Sequence, residues 1–226
     1  MKWVKAAVTM RIDSAHSYHE IRDSLSHDLV SFLVNQDILP YLIPNNLNIM
    51  EDICKDFDIL ILSGGNDVKL ESTEEHNIDD INSAIINRNK MELRLIESFL
   101  QYSKPIIGIC HGLQIINHYF GGTLRKVKSR DNHVSNEHEI RLESFEAQNL
   151  FGSKNINVNS FHNFAIDDVG NSLNIDAISS DGEVEMLSNI KKRVYGFMWH
   201  PERFFSDNNS MKINQNLIKK ILNEHL

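Results

Sequence analysis

The seven residues G-I-C-H-G-L-Q, positions 108–114, place one of only two cysteines between two glycines. The apolar run Pro105-Ile106-Ile107 precedes them, and Leu113, Ile115 and Ile116 follow. A cysteine that merely packs in a core needs no glycine neighbours. A thiol nucleophile on a sharp strand-to-helix turn does, because the backbone is crowded there and a flanking Cβ would clash. A helix starting beneath the sulfur would lower the thiol pKa and offer N–H groups to a developing oxyanion. Such a nucleophile wants a general base, and the base wants an orienting group. The segment G-F-M-W-H-P-E-R, positions 196–203, carries both in His200 and Glu202. Residues i and i+2 of an extended segment point the same way, so both side chains can face one site, with Pro201 stiffening the turn.

The elements that must position these groups are legible from periodicity. Val4–Met10, Ile38–Ile43, Phe57–Leu62 and Pro105–Ile109 read as buried strands. Between them, Ser24–Asn35, Ile85–Tyr102 and His111–Phe120 read as helices, the last stopped by Gly121-Gly122. Alternation of this kind predicts an α/β protein with a mostly parallel sheet covered by helices on both faces. After residue 123 the pattern changes to short strand-like pieces: Glu139–Leu142, Ile156–Asn159, Leu173–Ile178, Val184–Leu187 and Arg193–Trp199. A final helix is expected around Met211–His225. No repeat or Pro/Gly-rich linker divides the 226 residues, so one domain spanning 1–226 is expected.

Composition narrows the function classes. Lys and Arg number 23 against 31 Asp and Glu, a net charge of −8, which argues against a general nucleic-acid binder. The hydrophobic fraction of 41% supplies a core. Cys54 and Cys110 are too few for a disulfide framework. The apolar run near the N-terminus is short and broken by Arg11 and Asp13, and no stretch has the length of a membrane span. A soluble cytoplasmic protein is the expectation. His133 and His138 are close in sequence, but no Cys/His/Asp cluster has zinc-like spacing, so neither a metal nor another cofactor is expected.

Together, G-I-C-H-G-L-Q and W-H-P-E resemble the class I (triad) glutamine amidotransferase superfamily. The closer resemblance is to its γ-glutamyl-amide hydrolase branch, peptidase family C26, which includes γ-glutamyl-GABA hydrolases. Matching segments run in the family's order: L-S-G-G-N-D-V (62–68), R-N-K-M-E-L (88–93), K-P-I-I-G-I-C-H-G-L-Q-I-I-N (104–117), F-G-G-T-L (120–124), V-N-S-F-H (158–162), D-G-E-V-E (181–185) and G-F-M-W-H-P-E (196–202). The resemblance implies a flavodoxin-like fold and a Cys110–His200–Glu202 triad that forms a glutamyl thioester. It implies an oxyanion hole from the backbone N–H groups of Gly65 and His111. Gly64, Gln114 and the Ser160-Phe161 backbone would bind the glutamyl moiety. Three positions depart from the family. Met198 stands where Gln is common, His111 stands where Arg is common, and the loop after Val68 lacks a common proline.

The implied activity is hydrolysis of the γ-glutamyl C–N bond of a small amide. The amine side would be a polyamine, a GABA-type metabolite or a phosphoramidate such as γ-glutamyl-CDP-amidate in capsule biosynthesis. Alternatives are a glutaminase subunit delivering ammonia to a separate synthase, and a catalytically silent ligand-binding relative. The expected partner is a small-molecule substrate, neither nucleic acid nor membrane, and oligomeric state is left open. Leu124–Arg130 places four cations after the nucleophile helix, and Arg125, Lys126, Lys128 and Arg130 form a possible subsite for an anionic leaving group. The plainer reading of that run is a solvated loop.

Overall fold

The computed structural model describes residues 3–15, 17–46, 53–69, 80–203 and 208–223. In its first half the chain forms β1 (Val4–Thr9), β2 (Arg11–Ser14), β3 (Ile21–Ser24), α1 (His27–Val34), β4 (Ile38–Ile43), α2 (Ile53–Asp56), β5 (Ile59–Leu62), α3 (Asp80–Gln101), β6 (Ile106–Ile109) and α4 (His111–Tyr119). The second half adds β7 (Leu124–Lys126), α5 (Arg130–His133), β8 (Val134–Leu142), α6 (Phe145–Phe151), β9 (Asn155–Phe161), β10 (Phe164–Ile166), β11 (Asn174–Ser179), β12 (Val184–Asn189), β13 (Val194–Phe197), α7 (Asn208–Asn214) and α8 (Leu217–Asn223).

Among the described residues, nine strands form one mixed sheet in the order β4-β1-β5-β6-β13-β12-β11-β8-β9. The half from β4 to β13 is parallel, and the remaining pairings are antiparallel. This is the expected α/β class. Its antiparallel part is longer than the short pieces expected, since β8 runs for nine residues and β9 for seven. Strand alternation sends Ala6, Val8, Ile59, Ile61, Ile107 and Ile109 to one face, where Leu29 and Leu33 of α1, Phe151 of α6 and Ile218 and Ile221 of α8 cover them. The opposite face sets Ala7, Leu60, Leu62 and Ile106 against Met91, Leu95, Ile96 and Phe99 of α3 and Ile115 and Ile116 of α4. Each of the larger side chains among them contributes about 1.5–3 kcal/mol by leaving water, which anchors the strand ends that carry the site.

Local chemistry moves several boundaries. Helix α1 starts three residues later than predicted because Ser24 pairs with Arg11 in the β2–β3 hairpin. Ser26 then caps the helix, its side chain accepting from the Asp28 N–H. The single C-terminal helix expected at Met211–His225 is two helices, α7 and α8; positions 224–226 lie outside the described residues. Trp199 ties α7 to the sheet by donating its indole N–H to Asn214 Oδ1 at 3.2 Å. No described helix is long and apolar enough to cross a membrane.

Candidate active site

Strand β6 gives way to α4 across a single residue. Cys110 there has φ 50° and ψ −100°, a backbone conformation that costs an L residue about 1–3 kcal/mol. Crowding explains the flanking glycines. A Cβ on Gly108 would sit 2.5 Å from the carbonyl carbon of Gly112, and one on Gly112 would sit 2.3 Å from the Leu62 carbonyl oxygen. Nothing larger than hydrogen fits at either position. The Cys110 N–H donates to the Phe197 carbonyl at 2.7 Å, so the elbow is stitched directly to β13.

Three residues past β13 stands His200. Its Nδ1 lies 2.7 Å from Glu202 Oε1, and its other nitrogen is left to hydrogen-bond the Cys110 thiol. All three side chains are nearly inaccessible to solvent. Burial alone would lower the His200 pKa, but the Glu202 carboxylate and the Cys110 sulfur outweigh it and raise the ring to about 9. Burial would raise the thiol, yet hydrogen bonding and charge from His200, with further contributions from His162 and Arg203, bring it below its usual value. Both shifts run in the direction of a thiolate–imidazolium pair. The His200 backbone is clamped by Asn159 of β9, which donates from Nδ2 to the His200 carbonyl and accepts at Oδ1 from the His200 N–H, both at 2.9 Å.

On the other wall lies a buried charged network. Arg88 of α3 donates from Nε to Glu92 Oε1 at 3.0 Å and from Nη2 to the Ser63 carbonyl at 2.8 Å. Thr9 donates to Glu92 at 2.7 Å and accepts from the Ser63 N–H at 3.1 Å. The His111 ring places Nε2 2.7 Å from Glu92 Oε2, while Nδ1 donates to the Asn66 carbonyl at 2.7 Å. Burial would raise the Glu92 carboxyl, but Arg88 and His111 prevail and hold it at about 2. The network fixes the Ser63–Asn66 turn against the start of α4. Gly65 in that turn has φ +145°, and a Cβ would meet Arg11 Cβ at 2.5 Å and Arg88 Nη1 at 2.8 Å. Gly64 packs against the His200 ring. The His111 ring therefore turns inward to Glu92.

The remaining predicted residues have distinct placements. Gln114 is 3% exposed and donates from Nε2 to the Phe164 carbonyl at 3.1 Å, so it is not a surface residue. Met198 is fully buried and packs beside it, its sulfur 3.7 Å from the same nitrogen. Ser160 is also buried, with its hydroxyl donating to the His133 carbonyl at 2.9 Å. Phe161 is exposed and meets the His200 ring edge-on at 5.9 Å. Of the cation run, Arg125 is withdrawn. Its guanidinium pairs in two-pronged fashion with Glu183 at 2.9 and 2.6 Å and reaches Asp167 at 3.3 Å. Lys126, Lys128 and Arg130 are exposed.

Sequence reasoning passed over Asn159, Arg203 and the Arg88–Glu92 pair. The pair had a signal, because opposite charges at i and i+4 on an otherwise apolar helix face ask for a buried partner. Arg203 lies next to a motif residue but outside the motif. Its guanidinium sits 4.4 Å from the Phe161 ring centre and 4.0 Å from Glu202. An open cleft of about 580 Å³ is lined by Arg203, Phe161, Asn159 and Asn136, and also by Asp28 and Glu137.

An α/β sheet with a thiol, an imidazole and a carboxylate in series at its strand ends defines a protein of the glutamine amidotransferase-like class. The peptidase C26 family model matches residues 5–202, and the chain belongs to that family, a hydrolase acting on C–N bonds. It is 31% identical over 199 residues to the γ-glutamyl-CDP-amidate hydrolase of Campylobacter jejuni, covering 87% of this chain and 88% of that one. It is 30% identical over 126 residues to the glutamine-hydrolysing GMP synthase of Brachyspira hyodysenteriae, covering 55% of this chain and 24% of that one. The fold is shared with PurLQS from Thermotoga maritima, at TM-score 0.67 and 19% identity over the whole of both chains.

Proposed function

We propose that the protein hydrolyses the γ-glutamyl C–N bond of a small γ-glutamyl amide through a glutamyl thioester on Cys110. The observation that carries the reading is the Cys110–His200–Glu202 series at a strained elbow. The Cys110 thiolate attacks the γ-carbonyl carbon, and the oxyanion is received by the backbone N–H groups of Gly65 and His111. The C–N bond breaks as His200 gives its proton to the departing nitrogen. Water then attacks the thioester and passes a proton to His200, releasing glutamate and restoring the thiolate. Gly64, Gln114 and the Ser160-Phe161 backbone hold the glutamyl group. Glutamate released from a panel of γ-glutamyl compounds by the purified chain alone tests the reading. Negligible release across the panel would overturn it.

For the amine side we propose a phosphoramidate, supported by the similarity to a γ-glutamyl-CDP-amidate hydrolase. Arg203 at the cleft is a cation to receive it, joined by Lys126, Lys128 and Arg130 from the exposed run. A charge-assisted contact is worth about 1.5–3 kcal/mol, or roughly ten- to a hundredfold in kcat/KM. Alanine at each of the four positions is therefore expected to weaken a phosphorylated donor selectively. Equal effects on phosphorylated and uncharged donors would leave the run a solvated loop, and would favour a cationic amine facing Asp28 and Glu137.

A second reading, an ammonia-donating subunit, is favoured by the similarity to the glutamine-hydrolysing GMP synthase. It requires that glutaminase activity appear only when a synthetase is added. Asn159 separates a positioned base from a merely packed one. Asn159→Ala is expected to lower kcat roughly ten- to a hundredfold with KM nearly unchanged, because the clamp on His200 is lost. An unchanged kcat would remove Asn159 from the account.

A further inference from the structure

His133 at the end of α5, His138 of β8, His162 after β9 and Glu185 of β12 converge beside the catalytic strand. The Glu185 carbonyl accepts from the Met198 N–H at 2.8 Å, two residues before His200. His133 Nδ1, His138 Nε2 and His162 Nε2 lie 3.5, 3.3 and 3.6 Å from Glu185 Oε1. The side chains of His133, His162 and Glu185 are at most 1% exposed. All three facing nitrogens and both Glu185 oxygens lack a hydrogen-bond partner.

The opposite nitrogen of each ring is committed. His133 Nε2 donates to Asp181 at 3.1 Å, His138 Nδ1 to the Asn132 carbonyl at 3.1 Å, and His162 Nδ1 to the Phe164 carbonyl at 3.0 Å. Each ring is thus held from behind by an acceptor, with its facing nitrogen turned to the Glu185 carboxylate. A buried carboxylate facing three rings asks for positive charge among them, carried by ring protons or by a metal ion. A ring proton shared with Glu185 would draw the pair to about 2.7–2.9 Å. The observed spacings are longer. They are close to the donor–donor edge of about 3.3–3.4 Å expected for tetrahedral coordination at about 2.0–2.1 Å. The donor atoms of His133, His138 and Glu185 all lie within 4.8 Å of one another. Rings held from behind by a carboxylate and by carbonyls are the usual outer support of metal-binding histidines.

We propose that His133, His138 and Glu185, with His162 lying against Glu185, form a buried site for a divalent transition-metal ion of the zinc class. Imidazole with a single carboxylate favours such an ion over magnesium or calcium. The ligands come from α5, β8 and β12, and His162 of the turn after β9 packs against Glu185, so the site would tie these segments together. Phe161, which touches the His200 ring, lies in that turn's first strand.

The test is metal content and metal spectroscopy on the tag-free full chain, independent of turnover. About one zinc per chain is expected after dialysis, and chelation followed by cobalt(II) should give the intense visible bands of a four-coordinate ion. His138→Gln and Glu185→Gln should each lower metal content at least about tenfold, whereas exposed His19→Gln should retain it. If Glu185→Gln does not fold, the cobalt spectrum of the unaltered chain still decides. A folded chain that takes up neither ion, or uptake that survives His138→Gln, overturns the site and leaves a proton-bound imidazole–carboxylate cluster.

Discussion

Cys110→Ala is expected to lower turnover of a γ-glutamyl amide by about four orders of magnitude or more, while Cys54→Ala keeps most of it. The two thiols differ in everything that governs reactivity. Cys54 sits in the short helix α2 among Ala7, Phe57 and Leu60, where burial favours an inert thiol. Cys110 sits on a strained elbow at a helix start, hydrogen-bonded by His200. Removing its sulfur removes the atom that would form the thioester, and only transition-state binding by the rest of the site would remain. Kinetics of the two variants on one donor check this. Substantial turnover by Cys110→Ala would end the covalent mechanism.

His200→Ala is expected to cost about three to four orders of magnitude in kcat, because the ring both maintains the thiolate and protonates the leaving nitrogen. Glu202→Gln should lose less, since it removes charge and orientation but leaves the base. The pH dependence of kcat/KM gives a sharper readout. The active form is Cys110 thiolate with His200 imidazolium. Falling pH removes activity by protonating the thiolate, and rising pH removes it as His200 loses its proton near about 9. Glu202 is the leading influence that raises the ring, so Glu202→Gln should move the alkaline limb to lower pH. An unmoved limb would take Glu202 out of the role assigned to it.

The parts of this site that could be read from sequence were those fixed by short-range necessity. Gly108 and Gly112 flank Cys110 because the turn admits no Cβ, and that constraint is visible in five consecutive residues. Strands β1, β5 and β6 were legible because both their faces are buried, which writes an unbroken apolar run. The β2–β3 hairpin was missed, since R-I-D-S and I-R-D-S bury almost nothing and carry no such run. β8 was read too short for the same reason, because only its last turn of residues, Ile140 and Leu142, enters the core. Gln114 was harder. The resemblance assigned it to the glutamyl moiety, whereas the Phe164 carbonyl that satisfies its side chain lies 50 positions away. The His133–His138–His162–Glu185 cluster draws on α5, β8, β12 and a turn, so no local spacing rule could register it.

The proposed reaction places a glutamyl group on the Cys110 sulfur. It is tested most directly by acid-quenching the purified chain during turnover of a γ-glutamyl amide and mapping the adduct by peptide mass spectrometry. The expected result is one glutamyl group on the peptide containing Cys110, labile to hydroxylamine, absent from Cys110→Ala, and accumulating when His200 is replaced only if acylation still proceeds. Glutamate release from a chain that carries no adduct on Cys110 at any quench time, or carries it on Cys54, would contradict the account.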